Sequence, residues 1–194
     1  MIDAIIELDK QLFLIFNGMH TKWLDPVMEL FSKTAASVPL YAFLLYQLFR
    51  VFKERTWGVL LSIGLLILMT DQFTSSLMKP FFERLRPSHE PSLQGLVHLV
   101  NGYSGGNYGF ASSHAANTFG IAMFLSCLLK QEKPWINWLF LWAAFVSYTR
   151  IYLGVHYPGD ILVGALIGIL FGWLVFKLYI HTGMLVAKRR ASPQ

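Results

Sequence analysis

The chain is 194 residues long, 55% hydrophobic and only 14% charged, with a formal net charge of +5. That composition excludes an ordinary soluble domain of this length and indicates an integral membrane domain. A single cysteine, Cys127, excludes an intramolecular disulfide, and no basic run with interleaved aromatics speaks for nucleic acid as a partner.

In chain order, residues 2–16 set Ile2, Ile5, Ile6, Leu8, Leu12, Phe13 and Phe16 against Asp3, Glu7, Lys10 and Gln11 at helical spacing. This predicts an amphipathic helix lying in the membrane interface over residues 1–20; a sixth spanning helix made from part of this region is the alternative. Asp3, Glu7, Asp9 and Lys10 interrupt the first apolar stretch, so no cleavable signal peptide is expected. A spanning helix needs about 20 largely apolar residues. Such helices are predicted at 38–52, 57–78, 112–129, 135–153 and 161–180, the first being short unless 24–31 extends it. The expected fold is all-α: one polytopic membrane helix bundle over residues 1–194, with about five transmembrane helices.

Three basic clusters orient it. Arg50, Lys53 and Arg55, then Lys130 and Lys133, then Lys188, Arg189 and Arg190 fall on one side, which the positive-charge rule assigns to the cytoplasm. A basic tail at 186–194 extends from the last span there. The other side, facing the periplasm or exterior of a bacterial inner membrane, carries a long loop at 79–111 and a short one at 154–159. Trp23, Trp57, Trp135 and Trp138 suit interfacial belts or lipid-facing positions.

Charged residues at the edges of the outward loops need a reason, because charge at a membrane boundary costs free energy. "KPFFERLRPSHE" brings Lys79, Arg84 and Arg86 within eight positions. Lysine offers a compact charge and arginine a planar fork that fits two phosphate oxygens, although snorkelling to lipid headgroups explains such a cluster equally well. "NYGFASSHAANTFG" runs a glycine-rich loop into a helix beginning at Ser112, Ser113 and His114. There, unpaired N–H groups favour an anion, while a serine N-cap is the plainer alternative. "TRIYLGVHYPGD" places His156 four positions before Asp160; an Asp-to-imidazole hydrogen bond fixes the tautomer and frees the other ring nitrogen.

Helical spacing aims these residues inward. Asp160, Gly164, Gly168 and Gly172 recur every four residues, a small-residue packing face. Ala143, Ser147 and Arg150 share a face, as do Asp71, Ser75 and Lys79. Elsewhere, Arg84 is expected in a loop salt bridge with Glu83 or Glu90, His89 and His98 as solvated loop histidines, and Asp71 in a hydrogen bond to Ser75 or a neighbouring helix.

Lys79, six residues, then Arg86 and Pro87; Ala111 to His114; and Thr149, Arg150, five residues, His156, three residues, Asp160 resemble the three signature motifs of the type 2 phosphatidic acid phosphatase family. That family comprises membrane lipid phosphate phosphatases and is related to the vanadium haloperoxidases. Its usual Pro-Ser-Gly-His reads Ala111, Ser112, Ser113, His114 here, and its usual serine before the arginine of the third motif is Thr149. The resemblance implies His156 as the nucleophile forming a phosphohistidine, Asp160 as its orienting partner and His114 as the proton donor to the leaving oxygen. It implies Lys79, Arg86, Ser112, Ser113 and Arg150 as the phosphate-binding set. Cations can then stabilise the equatorial oxygens, so neither a metal nor another cofactor is expected. The expected substrate is a lipid phosphomonoester or pyrophosphate: undecaprenyl pyrophosphate, phosphatidylglycerol phosphate, phosphatidate or lipid A, with the polyprenyl or glycerol lipid favoured. Transfer of the phosphoryl group to an alcohol acceptor is the alternative reaction, and a transporter or scaffold the alternative class.

Overall fold

The structure is a computed structural model and describes residues 2–191. The side chains of Ile2 and of 184–191 and all of 192–194 lie outside the described residues, and with them every side chain of the expected basic tail at 186–194. In order the helices are α1 (Ile2–Gly18), α2 (Asp25–Ser32), α3 (Val38–Phe52), α4 (Thr56–Asp71), α5 (Lys79–Phe82), α6 (Ser113–Leu129), α7 (Leu139–Tyr152) and α8 (Pro158–Ala191). Between α4 and α5 the helix continues as a π-helix over Gln72–Met78. Among the described residues the nearest approach to a sheet is an isolated bridge between Leu85 and Tyr108. The chain is an all-α membrane bundle, as its composition requires.

Two helical runs, Thr34–Phe82 and Pro158–Gly183, are long and apolar enough to cross a membrane, and Ser113–Leu129 is apolar but shorter. The first run is a hairpin, since Lys53 takes φ 50 and the chain turns there between α3 and α4. Residues 24–31 do not lengthen α3. Lys33 is extended, with ψ 135, and separates α2 from the turn that leads into α3, so α2 is a short helix of its own. Large apolar side chains such as Leu61, Phe81, Leu141 and Leu162 are exposed around the outside. On a soluble domain that would be a liability; against lipid tails it is the expected surface.

Lipid tails are as apolar as leucine, so helix association in a membrane relies on close packing rather than on escape from water. The glycine series on α8 provides it. An ideal Cβ on Gly164 would sit 2.5 Å from the Ser112 carbonyl oxygen, and one on Gly172 would sit 2.5 Å from that of Gly120. Gly168 lies between them against the Ala116 carbonyl. The four-residue steps on α8 therefore match four-residue steps on α6, and these two helices make the most extensive contact in the molecule. Away from that seam, Leu44, Leu48, Val59, Leu66, Phe124 and Ile136 form the main apolar core of α3, α4, α6 and the turn before α7.

Helix α1 lies across one end of this bundle. Asp9 accepts from the Gly159 N–H at 2.7 Å, at the start of α8. Eight residues on, the Asn17 amide donates to the carbonyls of Ile151 and Tyr152 at the end of α7, at 3.2 and 2.8 Å, and to that of His98. A helix of eight residues covers about 12 Å along its axis, and both ends of that length touch the same layer. Phe13 is fully buried beneath it, whereas Ile5, Leu8 and Ile15 face outward.

Candidate active site

The candidate site residues are delivered by four helix ends and one loop, all in the layer that α1 covers. The π-helical segment ends at Met78 and hands on to Lys79. Ser112 caps α6, its hydroxyl accepting the Ala115 N–H at 3.5 Å, so Ser113 and His114 occupy the first turn. Arg150 sits in the last turn of α7, and Asp160 in the first turn of α8. The seam between α6 and α8 is closed at this level by a hydrogen bond from the Ser112 N–H to the Asp160 carbonyl, 3.0 Å.

His156 and Asp160 meet as the spacing requires. The imidazole Nδ1 is 3.3 Å from Asp160 Oδ2, and the same oxygen accepts the Tyr157 N–H at 3.0 Å. With Nδ1–H donating to the carboxylate, Nε2 carries the lone pair. That nitrogen lies 3.3 Å from Arg86 Nη1, which also donates to the Val155 carbonyl. Burial pushes the His156 imidazole down to about 4, against the upward pull of Asp160 and with Arg86 and Arg150 adding to the depression. The ring is neutral at pH 7. Gly109 lets the loop close over the pair: a Cβ there would lie 3.0 Å from Asp160 Oδ2 and 3.5 Å from His156 Nδ1.

The cations approach from three sides. Lys79 Nζ donates to Ser113 Oγ at 2.9 Å and to Ser75 Oγ at 3.3 Å. Ser113 Oγ also receives the Thr74 hydroxyl at 2.8 Å. Arg86 is buried, its Nε donating to the Tyr108 carbonyl at 3.2 Å. Arg150 is buried too, its Nη1 donating to the Ser32 hydroxyl and its Nη2 to the Tyr103 hydroxyl at 3.2 Å. Its Nε has no acceptor among the described residues. His114 lies within electrostatic range of Lys79, Arg86, Arg150 and His156. It also lines a cavity of about 520 Å³ that descends between α3, α4 and α6, polar at Ser32 and Asn117 and apolar below at Leu44, Leu48 and Ile63.

Several partners are not those the sequence suggests. Arg84 binds neither Glu83 nor Glu90. Its Nη1 donates to Asp160 Oδ1 at 2.8 Å and its Nη2 to Asp9 Oδ2 at 2.7 Å, while Glu90 pairs with Lys10. Local spacing cannot reveal this pairing because α1 carries the second carboxylate 75 residues away. His98 is not a free loop histidine either: its Nε2 is 3.0 Å from Asp25 Oδ1, and its ring stacks on His20. Ser32, Thr74 and Tyr103 join the site from outside the three motifs, and nothing in their local sequence marks them; Gly109 joins it from the glycine-rich loop before α6. Asp71 does accept from Ser75, at 3.3 Å. Among the described residues no three His, Cys, Asp or Glu side chains converge as a metal site.

The family model described as the PAP2 superfamily matches residues 57–182, from the start of α4 through most of α8. The chain belongs to the PAP2 superfamily. It is 45% identical over 182 residues to the lipid A 4'-phosphatase of Bacteroides thetaiotaomicron, covering 91% of this chain and 79% of that protein. The lipid A 4'-phosphatase of Porphyromonas gingivalis is 38% identical, with 92% and 76% covered. Among solved structures, Aquifex aeolicus LpxE superposes with a TM-score of 0.66 at 33% identity, covering 88% of this chain and 95% of that one. The PAP2-type phosphatidylglycerolphosphate phosphatase of Bacillus subtilis gives 0.68 at 25% identity, with 90% and 86% covered. As a PAP2 enzyme the chain is a membrane lipid phosphatase, a phosphoric ester hydrolase working through a phosphohistidine.

Proposed function

We propose that this PAP2 phosphatase removes a phosphate monoester from a lipid A-type glycolipid at the periplasmic face of the inner membrane. The sequence alone favours a polyprenyl or glycerol lipid. Identity of 45% and 38% to two lipid A 4'-phosphatases, against 29% to a phosphatidylglycerophosphatase, moves the preference to a phosphorylated sugar headgroup. Five spans, α3, α4, α6, α7 and α8, with α1 in the interface, fit this placement as one domain.

The observation that carries the mechanism is the environment of His156 Nε2: a neutral ring held by Asp160 on one side, with Arg86 against the nitrogen on the other. The Nε2 lone pair attacks phosphorus, the P–O bond to the lipid breaks, and the departing oxygen takes a proton from His114. Such a proton donor contributes on the order of 10²- to 10⁴-fold. Water then attacks the phosphohistidine, giving its proton to His114, and inorganic phosphate leaves. Arg86, the uncommitted Nε of Arg150 and the third proton of the Lys79 ammonium face the equatorial oxygens, with the Ser112 and Ser113 groups at the start of α6 completing the cradle. The cavity beside His114 suits the lipid part, with its polar mouth near the phosphate and its apolar walls below.

The test is phosphate release by purified protein in micelles with EDTA present, across lipid A, undecaprenyl pyrophosphate, phosphatidylglycerol phosphate and phosphatidate. The highest kcat/KM is expected on lipid A, with release abolished in His156→Ala and His114→Ala. Preference for a glycerol or polyprenyl lipid overturns the substrate; undiminished release by both variants overturns the residue roles.

A further inference from the structure

We propose that Arg84 and Asp9 are positioning residues for the nucleophile, forming a four-member relay, Asp9, Arg84, Asp160 and His156, that joins the amphipathic N-terminal helix to the reacting nitrogen. This rests on the reading of His156 as nucleophile and extends it outward by two residues.

The geometry is continuous. Arg84 uses the two arms of its guanidinium on two carboxylates, Asp160 Oδ1 at 2.8 Å and Asp9 Oδ2 at 2.7 Å. Its plane lies over the Tyr157 ring, 4.1 Å from the centroid. The other oxygen of Asp160 faces His156 Nδ1. One carboxylate thus takes the imidazole on one oxygen and the guanidinium on the other, which fixes its rotation about χ2. Asp160 is fully buried, and a buried carboxylate with a bare oxygen costs far more than one bonded on both sides. Asp9 is anchored in turn by the Gly159 N–H. The site for it is built, because a Cβ on Gly159 would lie 2.6 Å from Asp9 Oδ2, so the glycine of "HYPGD" is what admits the carboxylate. Arg84 bonds Asp160 directly and Asp9 bonds Arg84, so both act through Asp160.

Around His156 the charged and titratable neighbours are Asp160 from α8, Arg84 and Arg86 from the loop, Arg150 from α7, His114 from α6 and Lys79 from α5. Of the cations, Arg84 is the one bonded to the carboxylate that holds the ring. Removing its charge leaves the Asp160 anion uncompensated, and the imidazole then keeps a proton to higher pH. Lysine at the same place keeps the charge but spans only one carboxylate.

The experiment compares Arg84→Gln, Arg84→Lys, Asp9→Asn and His156→Ala by pH profiles of phosphate release from a short-chain lipid phosphate in micelles. Arg84→Gln is expected to lower kcat by about 30-fold with KM within about 2-fold, the pattern of an interaction that acts on the chemical step. Its acid limb in kcat/KM moves up by about one pH unit, while Arg84→Lys keeps the parent limb. Asp9→Asn lowers kcat by about 3-fold at unchanged KM. A purely structural role would reduce the amount of active protein and leave the limb where it was. An unmoved limb in Arg84→Gln overturns the relay; if that variant does not accumulate as folded protein, parental kcat in Asp9→Asn does so. Loss of all release in His156→Ala alongside a failed relay leaves the nucleophile intact, whereas an active His156→Ala removes the basis of both.

Discussion

Gly164→Ala tests whether the seam between α6 and α8 sets the catalytic geometry. The added Cβ would lie 2.5 Å from the Ser112 carbonyl oxygen and 3.2 Å from Ala115 Cβ, whereas ordinary contact begins at 3.4 Å. Both neighbours belong to the rigid start of α6, so neither can swing away; α8 must retreat by about 0.9 Å, an overpacking that costs about 1–3 kcal/mol. One turn above, the 3.0 Å bond from Ser112 N–H to the Asp160 carbonyl lengthens beyond hydrogen-bonding range. Asp160 and His156 then shift relative to His114, and a misplacement of about 1 Å costs on the order of 100-fold in rate. The assay is kcat for phosphate release in micelles beside thermal unfolding followed by circular dichroism. Gly164→Ala is expected to lose about 30- to 100-fold in kcat while remaining helical at assay temperature. Parental kcat with parental thermal stability would refute the claim that this contact holds the two halves of the site in register.

The remaining predictions concern the nucleophile and its supports. Asp160→Asn, which keeps the shape but not the charge beside His156, should lower kcat by about 10³-fold, read as phosphate release at saturating substrate. Since the His156 imidazole is depressed from its ordinary 6.5 to about 4, its limb in kcat/KM should fall only as pH drops through about 4, as pH–rate profiles against one substrate will show. Stability moves in the same direction. The unfolded chain takes up this proton near 6.5 and the folded one near 4, so the contribution is whole above 6.5 and is lost as pH falls towards 4, visible as a falling unfolding midpoint over that window. Asn17→Ala strips hydrogen bonds from the carbonyls of His98, Ile151 and Tyr152 and should cost about 1–3 kcal/mol in chemical unfolding, with the surviving folded fraction still hydrolysing substrate.

Features that repeat locally are legible in the sequence. The four-residue glycine series announces a packing face because a helix turns in nearly that period, and His156 reaches Asp160 because only three residues, the last two opening α8, separate them. Burial of Ala143, Ser147 and Arg150 follows from the same periodicity. Arg84 defeats local reading because its carboxylates come from Asp9 and Asp160, 75 and 76 positions distant, while Glu83 and Glu90 stand near it in the chain. Ser32 and Tyr103 escape notice as partners of Arg150 on the same ground, since long-range pairing leaves no trace in spacing. Helix α2 is equally opaque, for its separation from α3 depends on one extended residue at Lys33, which nothing in its neighbours' spacing marks. The cavity proposed for the lipid part of the substrate is illegible too, because walls of ordinary leucines and isoleucines look like core.

The π-helical segment at Gln72–Met78 decides which side chains meet at Ser113. Widening one stretch of helix accommodates an extra residue by turning less at each one, so the α-helical residues beyond it keep nearly the bearing they would have without it. Thr74 and Ser75 inside the widened stretch reach Ser113 together, and Lys79 shares their bearing. Excising a single codon from this stretch should therefore let it tighten into ordinary helix with Lys79 near its present bearing, while Thr74 and Ser75 no longer reach Ser113 together, so what the widening secures is the pair of hydroxyls that seats that serine.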